Sequence, residues 1–179
     1  MKPIAAIDIA SPCIGWKRVC PGALGLARDA AWVALTDGIA ATGFTSLRRV
    51  ELAITLTDDA QQLQLNRRYR GADVSTNVLA FRAWEPGMHA TPGAPLLLGD
   101  VVLAFETVAR EANDQVKPFC DHVRHLIVHG VLHLLGYDHQ READATKMER
   151  LETSILAKLG VPDPYRDFHL SHEPEPVFT

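Results

Sequence analysis

The sequence predicts a single domain in which one sheet of four strands is covered by about five helices. Segments with β-strand character alternate along the chain with segments whose apolar residues recur at helical spacing. The most apolar of the helical segments is central, which suggests that the other elements pack around it. At 179 residues the chain is long enough to bury the core of one domain. These patterns leave the choice between the α/β and α+β classes open.

Four segments are predicted to be strands because they are rich in β-branched residues or alternate between apolar and polar residues. They are Pro3–Ile9, Arg49–Thr57, Asn77–Ala83 and Leu96–Leu103. A helix is predicted between Arg49–Thr57 and Asn77–Ala83, so these two strands could run parallel. The connection Glu85–Pro95 permits either direction for the last two strands. It is rich in proline and glycine, and we expect a mobile surface excursion there.

Five segments are predicted to be helices from the spacing of their apolar residues. They are Leu24–Thr42, a helix capped by Thr57 or Asp58 that reaches about Tyr69, Ala104–Asn113, Lys117–Leu135 and Gln140–Leu159. Gly160 follows the last of them, where glycine commonly ends a helix. Ser11–Gly22 and Gly71–Thr76 are predicted to be loops. Residues 1–165 should form the domain, and residues 166–179 a polar, flexible tail.

The overall composition is that of an ordinary globular protein, with 47% apolar and 22% charged residues. The net charge of −4 argues against a generally basic nucleic-acid-binding protein, although a local basic patch could still hold phosphates. No secretory signal or membrane-spanning stretch is evident, so we expect a cytoplasmic protein without a membrane partner. Cys13, Cys20 and Cys120 are isolated, and we interpret them as packing residues.

The segment His129–His139 has the residue spacing of a metal site. On the predicted helix, His129 and His133 leave from the same face one turn apart and can bind one metal ion such as zinc. Gly136 should end the helix and turn the chain back, so that His139 can supply a third ligand. Three neutral nitrogen ligands leave one tetrahedral position for water, which is typical of a catalytic zinc site.

Two other interpretations of this segment are possible. The three histidines could be ordinary core or surface residues, but a pair spaced by four residues with a third beyond a glycine favours a metal. The metzincin proteases share this spacing and carry a glutamate directly after the first histidine, where it acts as general base. The corresponding residue here is Gly130, which cannot transfer a proton. A zinc peptidase therefore stays an alternative that the sequence disfavours.

A second group of polar residues crowds the segment Leu65–Phe81 and the residue that follows it. The group contains four arginines: Arg67, Arg68, Arg70 and Arg82. Taken alone, arginines near a helix end more often form a solvated surface than a binding site. The histidine segment changes that interpretation because the two patterns occur together in one known family.

Three motifs together resemble the YbeY-type endoribonucleases, which are bacterial rRNA maturation factors. The motifs are Leu65–Phe81, the strand Leu98–Val102 followed by Glu106, Ala109 and Glu111, and His129–His139. The resemblance covers about residues 51–165. It implies an α+β domain with a four-stranded mixed sheet, and one zinc ion held by three histidines at the end of the central helix.

The resemblance also implies an activity. Members of the family are metal-dependent endoribonucleases that cleave single-stranded RNA in 16S rRNA 3′-end maturation and ribosome quality control. The expected partners are single-stranded rRNA, the small ribosomal subunit and its assembly factors, and no organic cofactor is expected. A second alternative is a ribosome-assembly factor that zinc stabilises and that has no catalytic role.

Site residues follow from the resemblance position by position. It implies that the zinc ligands are His129, His133 and His139 and that the essential arginine is Arg70. Catalytic roles are therefore assigned to Arg70 and His129. The planar guanidinium of Arg70 suits bidentate binding of phosphate, and an ordinary ion pair with Asp73 is the alternative.

Several further residues have weaker expectations. Arg67, Arg68 and Arg82 are candidates for holding the RNA. Asp138 could orient a ligand ring through its second nitrogen, or it could be a turn residue that binds its own backbone. His125, one turn before His129, could lie behind the ligands or in the core.

Three departures from the family pattern affect the surroundings of the site. This chain has Ser75 where the family usually has proline, and it has Ala80 and Arg82 in place of the family's serine and proline. These positions shape the loop and the strand ahead of the metal site. His122, on the central helix, is expected at the surface.

Overall fold

Four strands form one sheet, and six helices surround it. The computed structural model describes residues 4–42, 49–85 and 94–166. The strands are β1 (Ile4–Ala10), β2 (Arg49–Thr57), β3 (Val78–Arg82) and β4 (Leu96–Ala104). The helices are α1 (Ile14–Val19), α2 (Ala23–Thr42), α3 (Asp59–Arg70), α4 (Phe105–Asp114), α5 (Phe119–Leu134) and α6 (Glu142–Lys158). The predicted four-stranded sheet and the five predicted helices are confirmed.

The order of strands in the sheet is β1-β2-β4-β3. β1 and β4 both run parallel to β2, whereas β3 runs antiparallel to β4. The sheet is therefore mixed, as the α+β class implies. The expectation that Arg49–Thr57 and Asn77–Ala83 could run parallel is wrong, because β3 pairs with β4 and points against β2. The end of β4, Val101–Ala104, is buried on both faces and takes the interior position that suits a continuous apolar strand.

The helix α1 lies in the segment Ser11–Gly22, which was predicted to be a loop. The glycine and prolines of this segment disfavour a helix, but burial of one large side chain outweighs them. The ring of Trp16 is fully buried, and its indole N–H donates a hydrogen bond to the carbonyl of Thr57 at 2.8 Å. This contact fixes the turn of helix against the end of β2.

The helix α5 lies at the centre of the fold and packs against α2, α4 and α6 and against the strands β3 and β4. Its buried side is a continuous apolar surface: Val123, Ile127, Val128, Val131, Leu132 and Leu134. The facing helix α2 buries mainly alanines, which lets the two helix axes approach closely. This packing confirms the prediction that the most apolar helix is central. The helix α5 is held by neighbouring elements on several sides.

Two of the three cysteines differ from their predicted role. Cys20 and Cys120 form a disulfide, with their Cα atoms 6.2 Å apart, while Cys13 is free. The interpretation of Cys20 and Cys120 as separate packing residues is therefore wrong. The end of α1 brings Cys20 beside the first turn of α5, although the two residues are 100 positions apart in the chain.

Some predictions concern residues that the structure does not describe. Most of the surface excursion Glu85–Pro95 and nearly all of the predicted tail, residues 166–179, lie outside the described residues. Within the described ranges, none of the helices combines the length and the apolar character that crossing a membrane requires.

Candidate metal centre

Two of the predicted ligands lie on one face of α5. His129 and His133 are one helical turn apart, and their Nε2 atoms are 3.0 Å from each other. Their ring centroids are separated by 4.5 Å. Both rings are partly exposed, although the opposite side of α5 is buried in the core. The helix thus holds two imidazoles together at the floor of an open cleft.

A tight turn at the end of α5 brings the third histidine to the pair. Gly136 has φ +95°, its N–H donates to the carbonyl of His133 at 3.0 Å, and the N–H of Tyr137 donates to the carbonyl of Leu132 at 3.1 Å. This is a Schellman motif, in which a glycine takes the left-handed conformation after the last helical turn. The prediction that Gly136 ends the helix is confirmed.

The turn is anchored on α2 by Tyr137, whose hydroxyl donates to the carbonyl of Gly38 at 3.1 Å. The ring of His139 then lies 5.5 Å from that of His129 and 5.0 Å from that of His133, between centroids. One nitrogen from each of the three rings lies within 4.8 Å of the others. Among the described residues, this group contains these three ligands and no fourth.

Hydrogen bonds to the second ring nitrogens set the orientation of two ligands. The Nδ1 atom of His133 lies 3.0 Å from the carbonyl oxygen of Tyr137, and the Nδ1 atom of His129 lies 2.6 Å from Oε1 of Glu152. A carbonyl and a carboxylate only accept, so each Nδ1 carries the proton and each Nε2 keeps a lone pair for a metal.

The charge of His133 also suits metal binding. Burial, together with the charge that His129 and His139 could carry, lowers the pKa of His133 to about 4. Its imidazole is therefore neutral at pH 7, so a metal ion would not compete with a proton there. The donor set fits a divalent ion that accepts imidazole ligands, such as zinc.

The side chain of Glu152 supports the site from α6 and was not found from the sequence. It is fully buried, and its second carboxylate oxygen accepts a hydrogen bond from the hydroxyl of Tyr165. Burial by itself raises the pKa of this carboxyl, but contacts with His125, His129 and Tyr165 lower it to about 2. A sequence signal existed: Glu152 interrupts the apolar face of α6 one turn after Met148.

The two remaining histidines of α5 are not members of the three-histidine group. His125 lies with its Nε2 atom 3.7 Å from a carboxylate oxygen of Glu152 and 3.5 Å from the Tyr165 hydroxyl. His122 is 4% exposed, and its Nε2 atom lies 3.0 Å from a carboxylate oxygen of Glu111 on α4. The expectation that His122 lies at the surface is wrong, because α4 covers this part of α5.

Asp138 lies in the exposed turn between α5 and α6. Its carboxylate accepts a hydrogen bond from the backbone N–H of His139 at 2.7 Å. This is the contact of a turn residue, and it fixes the backbone of a ligand rather than its ring.

The structure separates the four predicted arginines into two groups. Arg70 and Arg82 line the same cleft as the three histidines, and this cleft has a volume of about 600 Å³. Arg67 forms an ion pair with Asp73, and Arg68 lies over the ring of Tyr69. Among the described residues that line the cleft, neither Arg67 nor Arg68 occurs.

Arg70 projects from the end of α3 toward β3. One of its Nη atoms donates to the carbonyl of Ala80 at 3.2 Å, and its guanidinium lies 5.9 Å from the ring centroid of Phe81. Because Asp73 pairs with Arg67, the alternative ion pair between Arg70 and Asp73 is not the arrangement found. The guanidinium of Arg70 thus remains open to the cleft.

The side chain of Gln62 fixes the loop that precedes β3. This fully buried side chain donates to the carbonyl of Val102 at 3.2 Å and accepts from the hydroxyl of Ser75 at 3.0 Å and from the N–H of Thr76 at 2.8 Å. Ser75 is the position at which the resemblance leads us to expect a proline. Its hydroxyl gives the loop a tether that a proline side chain lacks, and Thr76 and Ala80 then line the cleft.

Gly130 lies where α5 crosses the sheet. A Cβ atom at this position would be 2.7 Å from a methyl group of Val101 on β4. Close packing against Val101 thus favours glycine at this position, which the sequence did not reveal. The glycine also has no group that could transfer a proton.

We expect Gly130→Ala to lower the free energy of unfolding by about 1–3 kcal/mol, because the added methyl group must displace a stiff β-branched side chain in the core. Gly25→Ala is the matched control, since nothing lies within 4 Å of a Cβ atom there and helix propensity should raise stability by up to about 1 kcal/mol. Urea denaturation of both variants in the presence of a chelator measures the difference. Equal stability changes in the two variants would contradict the packing argument.

The fold and the site together define an α+β protein with three histidines, at the floor of an open cleft, that could hold a metal ion. Its sequence matches the family model described as Endoribonuclease YbeY over residues 30–160. The chain belongs to the YbeY family of endoribonucleases.

Known relatives agree with this assignment. The chain is 49% identical over 166 residues to a protein named Endoribonuclease YbeY from Paramagnetospirillum magneticum, a match that covers 89% of this chain and 94% of the relative. It is 56% identical over 117 residues to the protein of that name from Rhodopseudomonas palustris strain BisB18, covering 65% of this chain and 70% of the relative. The solution structure of TM1509 from Thermotoga maritima has the same fold, with a TM-score of 0.54 at 16% identity, over 97% of this chain and 100% of that one.

Proposed function

We propose that this protein is a zinc-dependent endoribonuclease that cleaves single-stranded RNA during maturation of the 3′ end of 16S rRNA and in ribosome quality control. One observation carries the proposal: three imidazoles converge at the floor of a cleft whose wall also carries two arginines. Relatives along most of the chain bear the name Endoribonuclease YbeY, which supports RNA as the substrate. The proposed location is the cytoplasm, and the proposed partners are the small ribosomal subunit and its assembly factors.

The metal ligands in this proposal are His129, His133 and His139. When bound, a zinc ion supplies a Lewis acid that can polarise a phosphoryl oxygen and acidify a water molecule. His129 and His133 each direct a lone pair into the group, because their Nδ1 protons are held by Glu152 and by the carbonyl of Tyr137. The rings of His129 and His133 therefore need little reorientation when the ion binds.

Arg70 and Arg82 bind and orient the RNA in this proposal. Their guanidinium groups are permanently charged and pair with phosphate oxygens through two parallel hydrogen bonds. Each lies near an aromatic ring, Phe81 for Arg70 and Trp84 for Arg82, which restricts its orientation. A chain of net charge −4 needs such a local basic site to hold RNA, and Arg70 and Arg82 supply it inside the cleft.

A zinc peptidase would need a proton acceptor directly after the first ligand, and this chain has none at that position. The position holds Gly130, and a larger side chain there would collide with Val101. The nearest buried carboxylate, Glu152, contacts the Nδ1 side of His129, which faces away from the group. The alternative of an assembly factor with a purely structural metal is opposed by the cleft, because a structural zinc site is normally closed by a fourth protein ligand.

We further propose that residues 1–165 form the catalytic unit and that residues 166–179 lie outside it. Polar composition rich in proline and acidic residues supports this boundary.

The experiment that tests the function compares three substrates with purified protein: a single-stranded RNA, the same RNA in a duplex, and casein. We expect cleavage of the single-stranded RNA alone, loss of cleavage with a chelator, and recovery when zinc is added. Casein cleavage that depends on zinc would favour the peptidase alternative. RNA cleavage that a chelator does not affect would contradict the metal-dependent mechanism.

A further inference from the structure

A buried carboxylate links one metal ligand to the C-terminal segment of the described chain. Glu152 accepts from Nδ1 of His129 through one carboxylate oxygen, at 2.6 Å, and from the Tyr165 hydroxyl through the other. Its side chain is 1% exposed, and the neighbouring inward residues of α6 are apolar. A buried ion is costly unless its partners satisfy it, and an apolar residue would serve the core at least as well. Core packing therefore does not explain why an acid is here.

The segment after α6 places the hydroxyl of Tyr165 beside this carboxylate. Gly160, with φ +72°, turns the chain back, and Val161 is buried against the core. The carboxylate of Asp163 then accepts from the backbone N–H of Tyr165 at 2.9 Å and from the hydroxyl of Thr153 at 3.3 Å. The segment is thus held on α6 independently of the Tyr165 hydroxyl.

We propose that Glu152 and Tyr165 are positioning residues of the metal centre, so that residues 161–165 form part of the site although they lie beyond the region 30–160 that the family model matches. The inference rests on the proposed binding of a metal by the three histidines. The carboxylate holds the proton on Nδ1 of His129, which fixes the tautomer and the ring orientation and makes Nε2 a stronger donor to a metal. The Tyr165 hydroxyl restricts the carboxylate to the orientation that meets His129.

The test is the affinity of the purified full-length protein for zinc, measured by competition with a coloured chelator. Partners of metal-binding histidines typically contribute about 10–100-fold to affinity, so Glu152→Gln should weaken zinc binding by about that factor. Tyr165→Phe should weaken it less, in the same direction, because it removes one hydroxyl and keeps the ring. The matched controls are Glu142→Gln, an exposed acid in the first turn of α6, and Tyr69→Phe, an exposed tyrosine, and both should bind zinc as the wild type does.

A merely structural role is excluded by a second measurement, the difference in melting temperature between zinc-loaded and zinc-free protein. Loss of stability alone lowers both temperatures and leaves zinc affinity unchanged, whereas a positioning role shrinks the zinc-induced increase. A thermodynamic cycle with His129→Ala adds a further check: once the ring is gone, Glu152→Gln should change the residual zinc affinity no further.

The possible outcomes separate the inference from the proposed function. If the wild-type protein binds zinc and both variants bind it as tightly, the inference is wrong and the metal centre stands. If Glu152→Gln weakens zinc binding equally with and without the His129 ring, the effect is not positioning and the inference is again wrong. If the wild-type protein binds no divalent metal, the proposed metal centre fails and the inference fails with it.

Discussion

His133→Ala should abolish zinc binding at micromolar metal and reduce RNA cleavage to background. His133 is the ligand between the other two, since its ring is within 5.0 Å of both partners, centroid to centroid. Residues that merely support a metal-binding histidine contribute about 10–100-fold to affinity, so removing a ligand should cost more than about 100-fold. Zinc content after dialysis and the rate of cleavage of a single-stranded RNA measure the two effects.

His172→Ala is the control for this variant, because it removes an imidazole to which the proposed function assigns no role. It should keep both zinc and activity. Cleavage that persists in His133→Ala at the wild-type rate would point to a contaminating nuclease, and the assignment of the three histidines to catalysis would fall.

Arg70→Ala should reduce kcat/KM for RNA cleavage by about 10²–10³-fold, the range typical for loss of one group that stabilises charge in a transition state. The residue lines the cleft beside the histidines, and its guanidinium is held between Ala80 and Phe81. Arg70→Lys should restore only part of the loss, because an ammonium group cannot pair bidentately with phosphate. Steady-state kinetics with a labelled RNA measure all three proteins.

The matched control is Arg68→Ala, which removes the same charge two residues earlier on α3 from a side chain that lies over Tyr69. We expect it to change activity far less. The salt dependence of RNA binding gives a second readout, since loss of one phosphate contact should lower the slope of log affinity against log salt by about 0.7. Equal losses in Arg68→Ala and Arg70→Ala would indicate a general charge effect and contradict a specific role for Arg70.

The features predicted correctly from the sequence are those that local patterns determine. The spacing of apolar residues located the helices α2 to α6, and the position of Gly136 gave the end of α5 because helix termination depends on a few neighbouring residues. The spacing of His129 and His133 placed them on one face for the same reason. The ring of His139 reaches this pair because the turn after Gly136 is short.

The features that the sequence did not reveal depend on contacts between distant parts of the chain. The antiparallel pairing of β3 with β4, which sets the direction of β3 relative to β2, is a property of the assembled sheet. The disulfide joins residues 100 positions apart, and burial of His122 requires α4 to cover it. The contact of Glu152 with His129 is of the same kind, since α6 must pack on α5 before the acid has a partner.

The contact between Arg70 and β3 also changes which hydrogen-bond acceptors are available at the edge of the sheet. In the part of the chain that the structure describes, β3 is the last strand on its side of the sheet, so its outward carbonyls could pair with a strand from another molecule. The Arg70 guanidinium occupies the carbonyl of Ala80 and places a positive charge at this edge. The same side chain thus blocks one of the hydrogen-bond acceptors that an added strand would need, separately from any role toward RNA.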